Sequence, residues 1–139
     1  LIINTHNSAY DDGTLRKGQM EYLKKFLLTE YQKGNYIVVG GDWNQSPYGL
    51  NHTYENPFDM ENNSVIEENY LSDDWTWFYD NSVPTNRRVT TPYFEETTLT
   101  TIIDFYLLSP NIKGITIKGI DLNFENSDHN PVLAKFKLN

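Results

Sequence analysis

The chain has 139 residues with 11 Lys and Arg against 19 Asp and Glu, a formal net charge of −8. With 38% hydrophobic and 14% aromatic residues it can bury a core, and the composition argues against intrinsic disorder. The absence of cysteine rules out disulfides, zinc–thiolate sites and thiol nucleophiles, and the acidic balance argues against gripping nucleic acid by charge alone. A phosphate substrate stays possible, because a bound divalent cation reverses the local sign. No apolar run reaches the roughly 20 residues of a membrane span.

Leu1 to His6 reads as a buried strand. With no initiator Met or polar lead-in before it, the chain reads as a piece of a longer protein. Asn7 to Gly13 is loop by its Asn, Asp and Gly content. Thr14 is the predicted cap of a helix running to about Lys33, with Leu15, Met20, Leu23, Phe26, Leu27 and Tyr31 on one face. Gly34-Asn35 stops it, and Tyr36 to Val39 forms a buried strand ended by Gly40-Gly41. Residues 45–74 read as a long loop with a short helix at 64–70. Residues 75–79 (WTWFY) read as a strand, and 80–98 as an extended surface loop. Thr101 to Ser109, Gly114 to Leu122 and Pro131 to Leu138 read as strands, with Asn111 and Gly114 in the turn between the first two. Strand, helix and strand followed by a strand-rich second half point to layers of sheet and helix in mixed order.

Four places carry chemistry. In Gly40-Gly41-Asp42-Trp43-Asn44, a carboxylate two residues from an amide is placed to hold a water if the chain stays extended. The alternative there is a strand-to-loop turn with Asx capping. Asp104 interrupts the apolar run Ile102 to Leu108, where an unpaired ionised acid costs several kcal/mol. It therefore needs a partner or a wet face. Ser127-Asp128-His129-Asn130-Pro131 precedes the last strand and reads either as a polar turn or as a phosphate and metal contact. His6 stands at a strand end between Asn4 and Asn7. Arg87 and Arg88 are candidate phosphate contacts on a loop. Trp75, Trp77, Phe78 and Tyr79 read as core and rim. Asn51-His52-Thr53 and Asn62-Asn63-Ser64 match the glycosylation sequon, a weak pattern in an Asn-rich chain.

The order of these motifs is more specific than any one of them. Asn4-Thr5-His6-Asn7, then GGDWN at 40–44, IIDFYLLS at 102–109 and SDHNPV at 127–132 resemble the endonuclease/exonuclease/phosphatase superfamily. The match spans essentially the whole chain but corresponds to the C-terminal half of that family's domain. The resemblance implies an α/β (α+β in some schemes) fold, half of a deoxyribonuclease I-like four-layer α/β sandwich with a mixed, mostly antiparallel sheet, and the site between two sheets. It implies a phosphoester hydrolase (phosphodiesterase, nuclease or phosphatase) that uses Mg²⁺ or Mn²⁺ and water attack on phosphorus. By position, Asp42 orients or deprotonates the water and Asn44 holds water and phosphate. His129 donates to a non-bridging oxygen, and Asp104 fixes His129. Asp128 belongs to the metal site, and His6 assists at the phosphate or leaving group. Asn7 and Arg87 approach substrate. The substrate is a nucleic acid, a phospholipid headgroup or a sugar phosphate.

The family's principal metal ligand is a glutamate in its N-terminal half. Weak or absent activity is therefore expected of this chain alone, with clear activity in the full-length protein. An apolar sheet face left open would favour a homodimer. The competing reading is a non-catalytic binding module on the same fold, although such a module has no need of Asp42, Asn44, Asp104, Asp128 and His129 together.

Overall fold

The computed structural model describes residues 1–10, 12–50 and 64–139. The sequons at Asn51 and Asn62 lie outside them. The elements run β1 (Ile2–His6), α1 (Thr14–Gln32), β2 (Val38–Asp42), β3 (Thr76–Phe78), β4 (Asn86–Arg87), β5 (Thr100–Thr101), β6 (Asp104–Leu108), β7 (Ile112–Gly119) and β8 (Val132–Leu138). The main sheet has the order β1-β2-β6-β3 and is mixed. β1 runs parallel to β2, whereas β6 is antiparallel to both β2 and β3. β4-β5 and β7-β8 form two small antiparallel ladders. The described residues are thus mixed α/β, mostly strand with one helix.

Alternation along β2 and β6 divides the apolar side chains between two cores. Ile37, Val39, Phe105 and Leu107 face α1, where Met20 and Leu27 are buried. Trp43, Ile66, Tyr70, Leu71 and Trp75 complete that cluster. Trp43 stacks on Phe105 at 5.4 Å between ring centres and meets Trp77 edge-on at 5.2 Å. On the other face Val38 and Leu108 pack against Ile112, with Phe78, Tyr106 and Phe136 around them. The β7-β8 hairpin therefore covers part of the sheet face opposite the helix.

Several boundaries differ from the expected ones. The helix begins at Thr14, but its N-cap is Gly13 in the left-handed region (φ 89°) with no side-chain cap; instead Asp12 accepts from Thr14 N at 2.9 Å. Leu15 and Phe26 are exposed, because the buried face follows the spacing of Met20, Leu23, Leu27 and Tyr31. No helix forms at 64–70, where Val65 bridges Ser46 and Tyr70 N bonds to Glu67 O in a turn. Gly40 and Gly41 lie inside β2 rather than ending it, and Gly114 lies inside β7 under the Phe78 ring rather than in the turn. The loop at 80–98 contains β4.

The expected strand 101–109 is broken after Thr101. Ile103 N and Asp104 N both donate to Thr85 Oγ1 at 3.0 Å, and Ile103 O accepts from Trp43 N at 2.9 Å. A buried hydroxyl thus replaces the neighbouring strand for two peptide groups. Thr85→Val, which keeps the shape and removes the acceptor, is expected to cost about 2 kcal/mol. Urea denaturation of the variant, compared with Thr85→Ser, which keeps the oxygen, measures it.

Candidate active site

The pairing registers place three site residues side by side. His6 lies opposite Asp42 in the β1-β2 ladder, and Asp42 lies opposite Asp104 in the β2-β6 ladder. Paired residues share a face. A row His6–Asp42–Asp104 therefore crosses three strands at one end of the sheet, on the face opposite the helix. Asp104 stands at the start of β6, not in mid-strand. Two carboxylates directly opposite each other are unfavourable for a sheet, so this end is not optimised for pairing.

His129 closes over the row from the segment before β8. Its Nδ1 lies 2.8 Å from Asp104 Oδ2, and its Nε2 lies 3.9 Å from Asp42 Oδ2. His6 Nε2 approaches the same Asp42 oxygen at 3.5 Å. Asp42 is thus flanked by two imidazoles, one 77% exposed at the side chain and one 30% exposed. Asn44 folds back on Asp42: its backbone N donates to Asp42 Oδ1 at 2.8 Å, and its Nδ2 to Asp42 Oδ2 at 3.3 Å and to Asn7 O at 2.7 Å. The backbone here is not extended, since Asn44 has φ 48°. The two side chains converge through an Asx turn in which Asn tolerates the left-handed region.

Burial pushes the Asp42 carboxyl above its ordinary value and the facing Asp104 adds to this, against the Asn44 N–H and the two histidines. The Asp104 hydrogen bond pushes His129 up, burial opposes it, and the charges of Asp104, Asp42 and Asp128 add to the rise. Both the Asp42 carboxyl and the His129 imidazole are thus pushed up, which favours the protonated imidazole beside Asp104. Beside them opens a cleft of about 430 Å³ lined by Gly41, Asp104, Tyr106, His129, Pro131 and Val132.

The segment that carries His129 is held by a short ladder. Arg87 N donates to Asp128 O at 3.0 Å and Asn130 N to Thr85 O at 2.8 Å, bridging Asn86 to His129. Asn86 Nδ2 lies 3.0 Å from His129 Nε2 and 3.3 Å from Asp128 O. With the amide donating to the ring lone pair, the imidazole proton sits on Nδ1, facing Asp104. Asn130 is buried, receives Leu122 N at 3.1 Å and donates to Pro84 O at 3.1 Å. Neither asparagine stands out in the sequence reading. The only signal for Asn130 is its place between His129 and Pro131.

The remaining candidates lie apart from this convergence. Asn7 is buried; its Oδ1 accepts from Thr5 Oγ1 at 2.7 Å and its Nδ2 reaches Met20 Sδ at 3.3 Å. Its side chain supports the turn rather than facing a substrate, because the residue after the row pairs with Asp42 O through its own backbone N. Arg87 turns Nη1 to Arg88 O and Thr91 O within its own loop. Asp128 is half-buried and adds charge beside His129. The ligand atoms that lie within 4.8 Å of one another belong to Asp42, Asp104 and His129.

Gly41 makes this close packing possible. Its φ is +141°, and a Cβ there would run into Thr5 O on the neighbouring strand. Gly41→Ala is expected to cost about 3 kcal/mol through strain and displacement of β1. The melting temperature reports the cost, and loss of the His6–Asp42 juxtaposition follows in a crystal structure or by NMR.

No protein-family model matches the chain, and no curated protein matches it. No helix among the described residues is long and apolar enough to cross a membrane.

Proposed function

We propose that the full-length protein is a metal-dependent phosphoester hydrolase and that this chain carries its His–Asp centre, within half of a deoxyribonuclease I-like sandwich. The observation that carries the reading is the row His6–Asp42–Asp104 capped by His129, whose Nδ1 is 2.8 Å from Asp104. The order of the four motifs along the chain, which resembles the endonuclease/exonuclease/phosphatase superfamily, points the same way.

Asp42, raised by burial, orients the attacking water and takes its proton at a carboxylate oxygen. Asn44, already bonded to that carboxylate, fixes its rotamer and offers its amide to water or phosphate. In its imidazolium form, protonated at Nε2 as well as Nδ1 and with Asn86 displaced by substrate, His129 donates from Nε2 to a non-bridging oxygen, where negative charge grows as the water oxygen bonds to phosphorus. Asp104 holds Nδ1 and stabilises the imidazolium form. Asn86 is a positioning residue that fixes the ring plane until substrate arrives at Nε2. By the same resemblance His6, the most exposed of the row, assists at the phosphate or at the leaving oxygen, whose bond to phosphorus breaks as the water bond forms.

Among the described residues the carboxylates that converge are the two opposed in the row, Asp42 and Asp104, an oxygen pair that suits a hard dication. Both imidazole nitrogens of His129 are taken up by Asp104 and Asn86, so Asp42 and Asp104 are the side chains that would hold Mg²⁺ or Mn²⁺. When bound, the ion supplies charge stabilisation at the phosphoryl oxygens.

The test is a substrate panel on the full-length protein with Mg²⁺ and with EDTA: plasmid DNA, abasic DNA, sphingomyelin, phosphoinositides and bis-p-nitrophenyl phosphate. Metal-dependent cleavage of at least one is the expected result. Turnover of none, with the metal supplied and the protein folded, overturns the reading.

A further inference from the structure

The β7-β8 hairpin has a second face, turned away from the core. In its register Lys113 lies opposite Lys137, Thr116 opposite Lys135, and Lys118 opposite Leu133, with the irregularity between Gly114 and Thr116 leaving Ile115 as the extra residue. All seven of these residues are exposed, and they alternate with the half-buried Ile117, Val132, Ala134 and Phe136. Four of the chain's 11 Lys and Arg thus share one two-stranded face, in a protein of net charge −8. The two strands contain no acidic residue. Among the described residues none of the four lysines forms a salt bridge. Asp80 is the acid whose charge reaches Lys118. Two lysines placed directly opposite each other repel and weaken the ladder. Such a face is best accounted for by an anionic partner.

We propose that this face docks on an anionic lipid bilayer. Three features favour a membrane over nucleic acid. Leu133 is 65% exposed and Ile115 46% exposed among the lysines, which suits shallow insertion between headgroups while the ammonium groups stay at the phosphates. The face carries no arginine for bidentate phosphate or base contacts. It also carries no aromatic ring for base stacking, since Phe136 faces the core. The concentration of positive charge in an otherwise acidic chain orients the molecule with this hairpin toward a negative surface. The inference goes beyond the hydrolase reading and uses none of its residues.

Co-sedimentation of the 139-residue chain with sucrose-loaded vesicles tests it. Vesicles of phosphatidylcholine with 30% phosphatidylserine (about that fraction supplies the negative surface) are expected to pellet the chain, and pure phosphatidylcholine vesicles are not. High salt is expected to release it. Lys135→Gln/Lys137→Gln is expected to weaken binding about 25-fold, about fivefold for each lysine. Lys17→Gln/Lys25→Gln, which removes the same charge from α1, is expected to weaken it less than about twofold. Circular dichroism confirms that both variants fold. Equal pelleting with neutral and anionic vesicles, or equal loss from the two double variants, overturns the proposal. So does binding to a single-stranded oligonucleotide without binding to vesicles, which would assign the face to nucleic acid.

Discussion

Replacing His129 by alanine in the full-length protein is expected to lower kcat for phosphoester cleavage about 10³-fold with little change in KM. The imidazole is held by Asp104 on one nitrogen and by Asn86 on the other, so its position is fixed before substrate binds. A donor fixed in this way acts on charge that develops during the reaction and little on the ground state. Asp104→Asn keeps a partner at Nδ1 but removes the negative charge, and is expected to cost less, about 10²-fold. At saturating metal the ratio of the two compares donation by His129 with the contribution of the Asp104 charge, and the Mg²⁺ concentration needed for half-activation of Asp104→Asn reports the part of that charge spent on the metal. Folding is not expected to suffer in either case, because His129 is part-exposed at the rim and the segment is tied down by the Thr85, Arg87 and Asn130 backbone bonds.

The largest effect on stability is expected at Trp43. It is fully buried between Asp42 and Asn44, stacked on Phe105, edge-on to Trp77, and bonded from Nε1 to Phe105 O at 3.1 Å. Trp43→Ala removes the largest fully buried side chain and orphans a carbonyl, at an expected cost of about 4 kcal/mol. With a urea m-value of about 1.5 kcal/mol/M for a domain of this size, that moves the midpoint down by about 2.5 M. Trp43→Phe, which retains a ring, is expected to lose about 2 kcal/mol. The two outward-pointing site residues are carried on either side of this anchor. The same substitution is therefore expected to lower activity even where the protein still folds.

What the sequence revealed and what it hid follow a physical division. Alternation within a strand is local, so the helix after residue 13, the strand ending at Leu108 and the last strand could be read directly, whereas the strand expected at 36–39 runs from Val38 to Asp42. Asp104 could be read too, because an acid in an apolar run demands a partner, and His129 supplies it. The break before Asp104 could not, since it depends on a hydroxyl 19 positions upstream in a loop. Gly40 and Gly41 looked like a terminator. They are instead the positions where the Tyr106 ring and the Thr5 backbone approach β2, which only tertiary contacts disclose. Asn86 and Asn130 were hidden for the same reason: an asparagine in a loop declares nothing until its partners are known. Asn7 shows the converse, a polar residue beside a site histidine whose side chain the fold turns inward. The lysine face went unread, because it becomes a surface only once the register sets Lys113 beside Lys137.

The central claim is that Asp42, Asp104 and His129 together direct a water molecule at phosphorus. The most direct measurement is hydrolysis of bis-p-nitrophenyl phosphate by the full-length protein in ¹⁸O-labelled water with Mg²⁺, read by mass spectrometry of the product. One ¹⁸O atom in the p-nitrophenyl phosphate released, formed about 10³-fold more slowly by His129→Ala and not formed with EDTA, is the predicted result. Product that lacks the label, or the same rate from wild type and His129→Ala, would contradict it.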